Sequence, residues 1–215
     1  MERKTESIVI AQQTLVRLPY YVRSLTAMKA KGLTYVSAPM LAKELQLGEV
    51  QVRKDLSAVS VGGGKPKLGF SIEELLKGMR SMLGCDNGDD AVLVGAGDLG
   101  RALMGYKGFD DYGIKILAAF DRNRALAGLN LSGKPVYPME KMAELCKRLQ
   151  VHMGIIAVPP DAAQEVCDAL VESGILAIWN FAPVKLSAPD WVLVQNENLA
   201  ASLAILSNRL HQRLS

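Results

Sequence analysis

Ala91-Val92-Leu93-Val94-Gly95-Ala96-Gly97-Asp98-Leu99-Gly100-Arg101-Ala102-Leu103-Met104 is the stretch on which the fold turns. A short apolar strand runs into a G-x-G-x-x-G loop and out into a helical segment. In that setting each glycine has a physical task. Gly95 permits the tight turn, Gly97 lets backbone approach a pyrophosphate, and Gly100 lets helix and strand pack closely. Ala96, Asp98 and Leu99 complete a loop whose helix N-terminus offers free N–H groups and a positive dipole end to phosphates. The second half of the pattern is an acid ending the next strand, and Ile116-Leu117-Ala118-Ala119-Phe120 ends on Asp121, 21 residues after Gly100. A carboxylate there accepts both ribose hydroxyls and repels a 2′-phosphate, so the expected ligand is NAD(H) rather than NADP(H), with Arg122 and Arg124 pulling the other way. The competing reading is a glycine turn of another α/β fold with an incidental surface aspartate.

Downstream, short apolar runs continue to alternate with helical segments. Strands are expected at Ile114–Phe120, Met153–Val158, Leu176–Asn180 and Val192–Val194, and helices near Leu99–Met104, Met139–Leu149 and Ala162–Ser173. That alternation predicts a parallel, doubly wound sheet, a Rossmann domain over residues 86–197. A last helix, Asn198 to Leu214, carries Leu199, Leu203, Leu206 and Leu210 on one stripe and is set apart as segment 198–215.

Upstream the texture is different. Apolar residues from Ile8 to Ala30 have helical spacing interrupted at Pro19, which predicts one short helix and a second beginning near the proline. Ser37, followed by Pro39-Met40-Leu41-Ala42, predicts an N-capped helix running to about Leu45. After a turn at Leu47-Gly48, Val52, Leu56 and Val59 share the inward face of a third helix over 49–59. Gly62-Gly63-Gly64-Lys65-Pro66-Lys67, flanked by Val59-Ser60-Val61 and Leu68-Gly69-Phe70, reads as a hairpin with a basic tip. A further amphipathic helix from Ile72 to about Leu83 closes residues 1–85 as a winged helix-turn-helix domain, with the boundary near residue 86.

The outer face of the third helix shows Gln51 and Lys54, flanked by Arg53 and Ser57. Gln pairs with adenine, and Arg or Lys with guanine, in a major groove; Lys65 and Lys67 would meet phosphates or enter a minor groove. Arg17 and Arg23 add positive charge, and Ser37 is assigned to the same DNA-binding surface. The rival reading is a solvated helix or a protein contact. Charge distribution favours DNA, because residues 1–85 hold 13 Lys+Arg against 7 Asp+Glu, net +6, while the remainder holds 12 against 15, net −3.

Other function classes are disfavoured. The sequence has no apolar run near the roughly 20 residues of a membrane span and no secretory h-region at its start, so a soluble, cytoplasmic protein without membrane contact is expected. Cys85, Cys146 and Cys167 are widely spaced and read as reduced core thiols rather than metal ligands or a disulfide framework. His152 and His211 have no evident carboxylate partner, so no catalytic residue is assigned and binding without turnover is expected. The alternative kept open is a small NAD-dependent oxidoreductase, or a nucleotide-binding subunit related to CoA-ligase domains.

Taken together these residues resemble the Rex family of redox-sensing repressors, from about Thr14 to Leu210. The resemblance rests on Arg17-Leu18-Pro19 with Tyr21 and Arg23, on Val52-Arg53-Lys54-Asp55-Leu56-Ser57, and on Val94-Gly95-Ala96-Gly97 with Leu99-Gly100-Arg101-Ala102-Leu103. It continues through Tyr106, Gly108-Phe109, Phe120-Asp121, Val158-Pro159, Ala162-Ala163-Gln164-Glu165 and Asn180-Phe181-Ala182-Pro183. It implies a homodimer that binds double-stranded, pseudo-palindromic operator DNA when NADH is low and releases it when NADH binds. It further implies a terminal helix swapped onto the partner subunit, Tyr106 beside the nicotinamide, and a cleft lined by Phe120, Val158, Pro159, Phe181, Ala182 and Pro183. One segment and two positions depart from the family pattern. Ala58-Val59-Ser60-Val61-Gly62-Gly63-Gly64 lacks the aromatic and acidic residues common between recognition helix and wing. Asp98 replaces the usual asparagine, putting a carboxylate near the pyrophosphate. Asn198 replaces an aspartate that, in the family, exchanges between the tyrosine and an arginine of the DNA-binding domain; an amide cannot make that charged pair.

Overall fold

The computed structural model describes residues 11–60, 62–84 and 90–214. The expected boundary near residue 86, Cys85, Val61 and the first residues of the Ile8–Ala30 segment lie outside that set. The chain divides into two compact units, one within Met1–Asn87 that also takes in Asp111–Gly113, the other comprising Gly88–Asp110 and Ile114–Ser215.

The first unit is a winged helix-turn-helix. Its opening helix, α1 (Gln12–Ala30), runs without a break through Pro19, which corrects the two-helix expectation. The reason is burial. Proline removes one backbone bond at a cost of about 3 kcal/mol, whereas Leu18, Tyr21, Val22 and Leu25 are all buried on one face, each contributing about 1.5–3 kcal/mol. Strand β1 (Tyr35–Val36) leads to α2 (Ala38–Leu45), where the Ser37 hydroxyl accepts the Met40 N–H at 3.3 Å. Gln46 turns the chain in the left-handed region (φ 54°) and Gly48 caps α3 (Glu49–Val59), whose Val52, Leu56 and Val59 are buried as expected.

The wing differs from the expected hairpin. Val59 ends α3 and Ser60 caps it, so among the described residues this flank supplies no strand. Instead Lys65 and Gly69 close a tight loop by exchanging backbone hydrogen bonds of 2.7 and 2.9 Å, and β2 (Phe70–Ser71) pairs antiparallel with β1. Gly69 makes this possible. Its φ is +86°, and a side chain there would meet the Val36 carbonyl oxygen at 2.3 Å. The last helix, α4 (Ile72–Met82), is capped by Ser71, which accepts the Glu74 N–H, and it buries Ile72, Leu75 and Met79.

The second unit is a Rossmann domain. Its strands are β3 (Asp90–Val94), β4 (Lys115–Asp121), β5 (Asn130–Leu131), β6 (Lys134–Pro138), β7 (Met153–Ile156), β8 (Ala177–Asn180) and β9 (Leu193–Asn196). They lie in the order β5-β6-β4-β3-β7-β8-β9, parallel throughout except for the β5/β6 hairpin. The parallel strands therefore follow the doubly wound 3-2-1-4-5-6 order, with the topological switch between β3 and β7. The β5/β6 hairpin was not anticipated from sequence; Ser132 and Gly133, at φ 52° and 80°, form its two-residue turn.

Alternation along β3 builds both faces of the sheet. Val92 and Val94 pack with residues of α6 (Met142–Leu149) and α7 (Ala163–Glu172), while Ala91 and Leu93 pack with Met104 of α5 (Asp98–Gly105). Cys146 and Cys167 are free and buried in the first of these clusters, where burial raises both thiols above their ordinary range. The final helix, α8 (Leu199–Leu214), buries nothing within this chain, and Leu199, Leu203, Leu206 and Leu210 are exposed along it.

Trp179 and Trp191, the two tryptophans, both lie in this second unit, so their fluorescence reports its unfolding. A Cβ on Gly100 would sit 1.8 Å from the Gly95 carbonyl oxygen. Gly100→Ala is expected to lower stability by about 1–3 kcal/mol, seen as a lower urea midpoint in tryptophan fluorescence. An unchanged midpoint would show that the helix and loop do not need their close approach.

Candidate nucleic-acid and dinucleotide sites

In the first unit a groove runs between the start of α2, the outer face of α3 and the wing. Ser37, Arg53, Ser57, Lys65 and Lys67 all line it. The fold thus brings together five of the residues picked for DNA contact. Lys65 donates to the Tyr35 hydroxyl at 3.3 Å and stands 5.5 Å from that ring's centre, so the wing's charge is held near the groove. Lys54 is exposed on α3 and Arg23 is exposed on α1, but neither lines the groove. Arg53 pairs with Glu49 one turn earlier, an exposed bond that DNA phosphate can outcompete.

Arg17 and Gln51 are engaged in a different way. Asp55, only 2% exposed, accepts from Arg17 through both Nε (2.8 Å) and Nη2 (3.0 Å), from the Tyr21 hydroxyl (2.7 Å), from Thr14 (3.1 Å) and from Gln51 Nε2 (3.0 Å). Burial alone pushes the Asp55 carboxyl up, yet the hydrogen bonds from Arg17, Tyr21, Gln51 and Thr14 together hold it below the usual carboxylate range. Burial, with Asp55 alongside, raises the Tyr21 phenol. Arg17 is therefore an internal tie between α1 and α3, not a spare surface charge. Asp55, quoted above only as part of a motif, stands three residues after Val52 and four before Val59 on the apolar stripe, where a charge requires partners.

In the second unit a cavity opens at the switch point, at the carboxyl ends of the parallel strands. Gly95 and Gly97 line it after β3, Asp121 at the end of β4 with Arg122 just beyond, and Val158 and Pro159 after β7. Gly95 has φ +102°, and a Cβ there would meet the Ala157 carbonyl at 2.4 Å, whereas a Cβ on Gly97 would meet nothing within 4 Å. The loop is thus closed against protein on two glycines and open on the third, which is the room a phosphate needs. Asp121 is locked by the Ala96 N–H on Oδ2 and the Asn123 N–H on Oδ1, each at 2.7 Å. Each oxygen keeps a further lone pair for a ribose hydroxyl.

The remaining expected residues fall in different places. Asp98 and Leu99 are exposed at the start of α5, and Gly100 is buried beneath it. Phe120 is fully buried against Tyr137, so its side chain cannot line the cleft; its carbonyl oxygen instead accepts the Gly95 N–H at 2.8 Å. Ala182 is likewise buried, where its N–H donates to the Asn180 side chain. Tyr106 is exposed and meets Phe109 edge-on at 5.0 Å; Phe109 meets Trp179, and Trp179 meets Phe181 at 4.4 Å, forming an aromatic row. Pro183 follows this row and does not line the cavity.

Met139, Glu140, Ala162 and Glu165 line the cavity and were not anticipated. Arg124, counted as a pull toward a 2′-phosphate, is paired with Glu140 at 2.8 Å. Asn198 caps α8, its Oδ1 accepting the Ala201 N–H at 2.8 Å. Among the described residues no group of three or more His, Cys, Asp or Glu is placed to hold a metal, and no helix is long and apolar enough to cross a membrane.

Comparison with known proteins covers both units. Residues 9–57 match the family described as putative DNA-binding protein N-terminus, and residues 86–184 match the CoA binding domain family. The redox-sensing transcriptional repressor Rex of Pelotomaculum thermopropionicum is 39% identical over 210 residues, covering 98% of each chain. Its namesake from Bacteroides fragilis is 36% identical over 206 residues, 96% of this chain and 93% of that one. The crystal structure of RSP in complex with beta-NAD+ and operator DNA superposes with a TM-score of 0.87 at 33% identity, covering 95% of this chain and 94% of that one. RSP in complex with beta-NADH gives 0.80 at 32% identity, covering 95% and 96%.

Asp98 places a negative charge at the first position of α5, beside the opening over Gly97. Two unit charges several ångströms apart in a solvated site repel by about 1 kcal/mol. Asp98→Asn should therefore tighten NADH binding about fivefold in calorimetry at low salt. Equal or weaker binding by the variant would place this carboxylate away from the ligand's charge.

Proposed function

The chain belongs to the Rex family of redox-sensing transcriptional repressors, and on that premise we propose that it is a homodimeric repressor. It holds double-stranded operator DNA through its winged helix and lets go when NADH occupies the glycine cradle. The observation that carries this reading is the coexistence, in one chain, of a basic groove framed by Arg53, Ser57, Lys65 and Lys67 with an acid-terminated dinucleotide cavity.

On the DNA side, the N-terminal half of α3 enters the major groove, as recognition helices do. Lys54, Arg53, Gln51 and Ser57 meet base edges or nearby phosphates. Lys65, Lys67, Arg23 and the α2 N-terminus at Ser37 meet the backbone, fixing register without reading sequence. Arg17 serves the interface indirectly, by holding Asp55.

On the ligand side, Gly95, Gly97 and the first turn of α5 receive the pyrophosphate, and Asp121 takes the adenosine ribose. Arg122, Val158 and Pro159 border that end of the cavity. Asp121 supports NAD(H) over NADP(H), because its carboxylate stands where a 2′-phosphate would have to sit. Tyr106, Phe181 and Pro183 belong to the aromatic end, toward the nicotinamide. When bound, the dinucleotide supplies no chemistry here; it supplies a difference in ring charge between its oxidised and reduced forms.

The uncovered leucine stripe of α8 supports a second copy as the occupant of that face, with the helix exchanged between subunits. An exposed apolar stripe of this size is costly in water and is covered by association. The charged exchange that the family resemblance implies has no direct counterpart here, since Asn198 is neutral and Arg17 is tied to Asp55. Release must come from another difference in contacts between the two states, because a ligand shifts an equilibrium only by its differential affinity.

The test is fluorescence anisotropy on a labelled duplex selected by this protein from a randomised library. Saturating NADH is expected to weaken binding at least about tenfold, a coupling of about 1.4 kcal/mol, while NAD⁺ leaves it within about twofold. Unchanged affinity at saturating NADH would overturn the redox-switch reading.

A further inference from the structure

Gln51 is the third residue of α3, in the turn whose side chains contact base edges when such a helix docks. Its amide is not free to rotate through all orientations. Nε2 lies 3.0 Å from Asp55 Oδ1, one turn further along the helix. Asp55 is buried and receives four other hydrogen bonds, from Thr14, Tyr21 and twice from Arg17, so it does not move. The guanidinium contact and the neutral donors around it keep it ionised, and an ionised carboxylate only accepts. The amide must therefore turn its NH₂ inward. The opposite orientation would set the Gln51 carbonyl oxygen against a carboxylate oxygen.

One amide hydrogen is thus spent on Asp55, and because Gln51 is exposed the other hydrogen and the carbonyl oxygen are left for a partner outside the protein. That leaves one donor and one acceptor side by side in a fixed order. Adenine presents the complementary pair in the major groove, an N7 acceptor beside an N6 donor. We propose that Asp55 is a positioning residue for sequence recognition, which fixes the Gln51 amide so that α3 reads an adenine. This rests on the DNA-binding reading above and deepens it. The role is separable from the tie to α1, because Arg17, Tyr21 and Thr14 each bond Asp55 through hydrogen bonds of their own.

Asp55→Asn tests the idea, since an asparagine offers either an oxygen or an NH₂ toward Gln51 and no longer dictates its orientation. The probe is the duplex selected from a randomised library by the wild-type protein, together with duplexes in which each A·T pair is changed in turn to G·C. Wild type should discriminate at one A·T position per half-site by roughly 5- to 150-fold, the range of one bidentate pair. Gln51→Met should abolish discrimination there and nowhere else. Asp55→Asn should reduce it at that same position to within about threefold although Gln51 is present, and the double variant should add nothing further. Thr14→Val, which removes another donor from Asp55 Oδ1, should lower stability and leave discrimination intact.

If Asp55→Asn weakens binding to every duplex equally and keeps the preference, Asp55 is only structural and the proposal is overturned. The proposal also falls if Gln51→Met loses no position-specific preference. A wild-type protein that binds all duplexes alike would instead overturn the repressor reading itself. Should Asp55→Asn fail to fold, the wild-type Gln51 side-chain amide decides by NMR. One proton shifted downfield and protected from exchange is expected; two equivalent, solvent-like protons would contradict it.

Discussion

A side chain on Gly100 would place its Cβ 1.8 Å from the Gly95 carbonyl oxygen, so α5 rests on the loop before it with no space to spare. Much of the second unit follows from that close approach. With α5 seated there, Gly95 turns at positive φ against the Ala157 carbonyl, and its N–H reaches the Phe120 carbonyl across to β4. The Ala96 N–H then meets Asp121, and Gly97 is left over open space at the switch point of the sheet. The loop, the acid and the cavity are one construction. Its three glycines are not interchangeable: two are required by the protein's own packing and one leaves room for a ligand.

The first unit is organised by a buried charge. Asp55 draws α1 and α3 together through Arg17, Tyr21 and Thr14, and its remaining contact reaches the recognition face. A buried carboxylate is costly unless its lone pairs are satisfied, and here five hydrogen bonds converge on it. Such a node ties helix placement to side-chain placement, so stability and specificity share a residue.

Reading from sequence succeeded where the determinant is local. The span Glu49–Val59 was legible because Val52, Leu56 and Val59 repeat at helical spacing, and the cradle was legible because its glycines and its acid follow fixed offsets. It failed where the determinant is tertiary. Pro19 was read as a break because its missing hydrogen bond is visible in sequence, while the packing that outweighs it depends on where α1 lies. The β5/β6 hairpin spans too few residues for alternation to show, and Ser132-Gly133 is a weaker turn signal than Asn-Gly. Arg17 and Gln51 looked like surface groups because their common partner, Asp55, lies 38 and 4 residues away and only the packing of α1 on α3 brings the three together. Glu140 and Glu165 reach the cavity from segments far along the chain, and no local pattern announces that.

In the proposed switch, dinucleotide and operator compete through the protein's conformation. Thermodynamic linkage makes this reciprocal: whatever factor NADH takes from operator affinity, operator must take from NADH affinity. Calorimetric titration of NADH into the free protein and into the protein saturated with its selected duplex measures that factor directly. NADH should bind at least about tenfold more weakly to the DNA-bound protein, matching the loss of operator affinity caused by NADH. Equal NADH affinity in the two forms would contradict it.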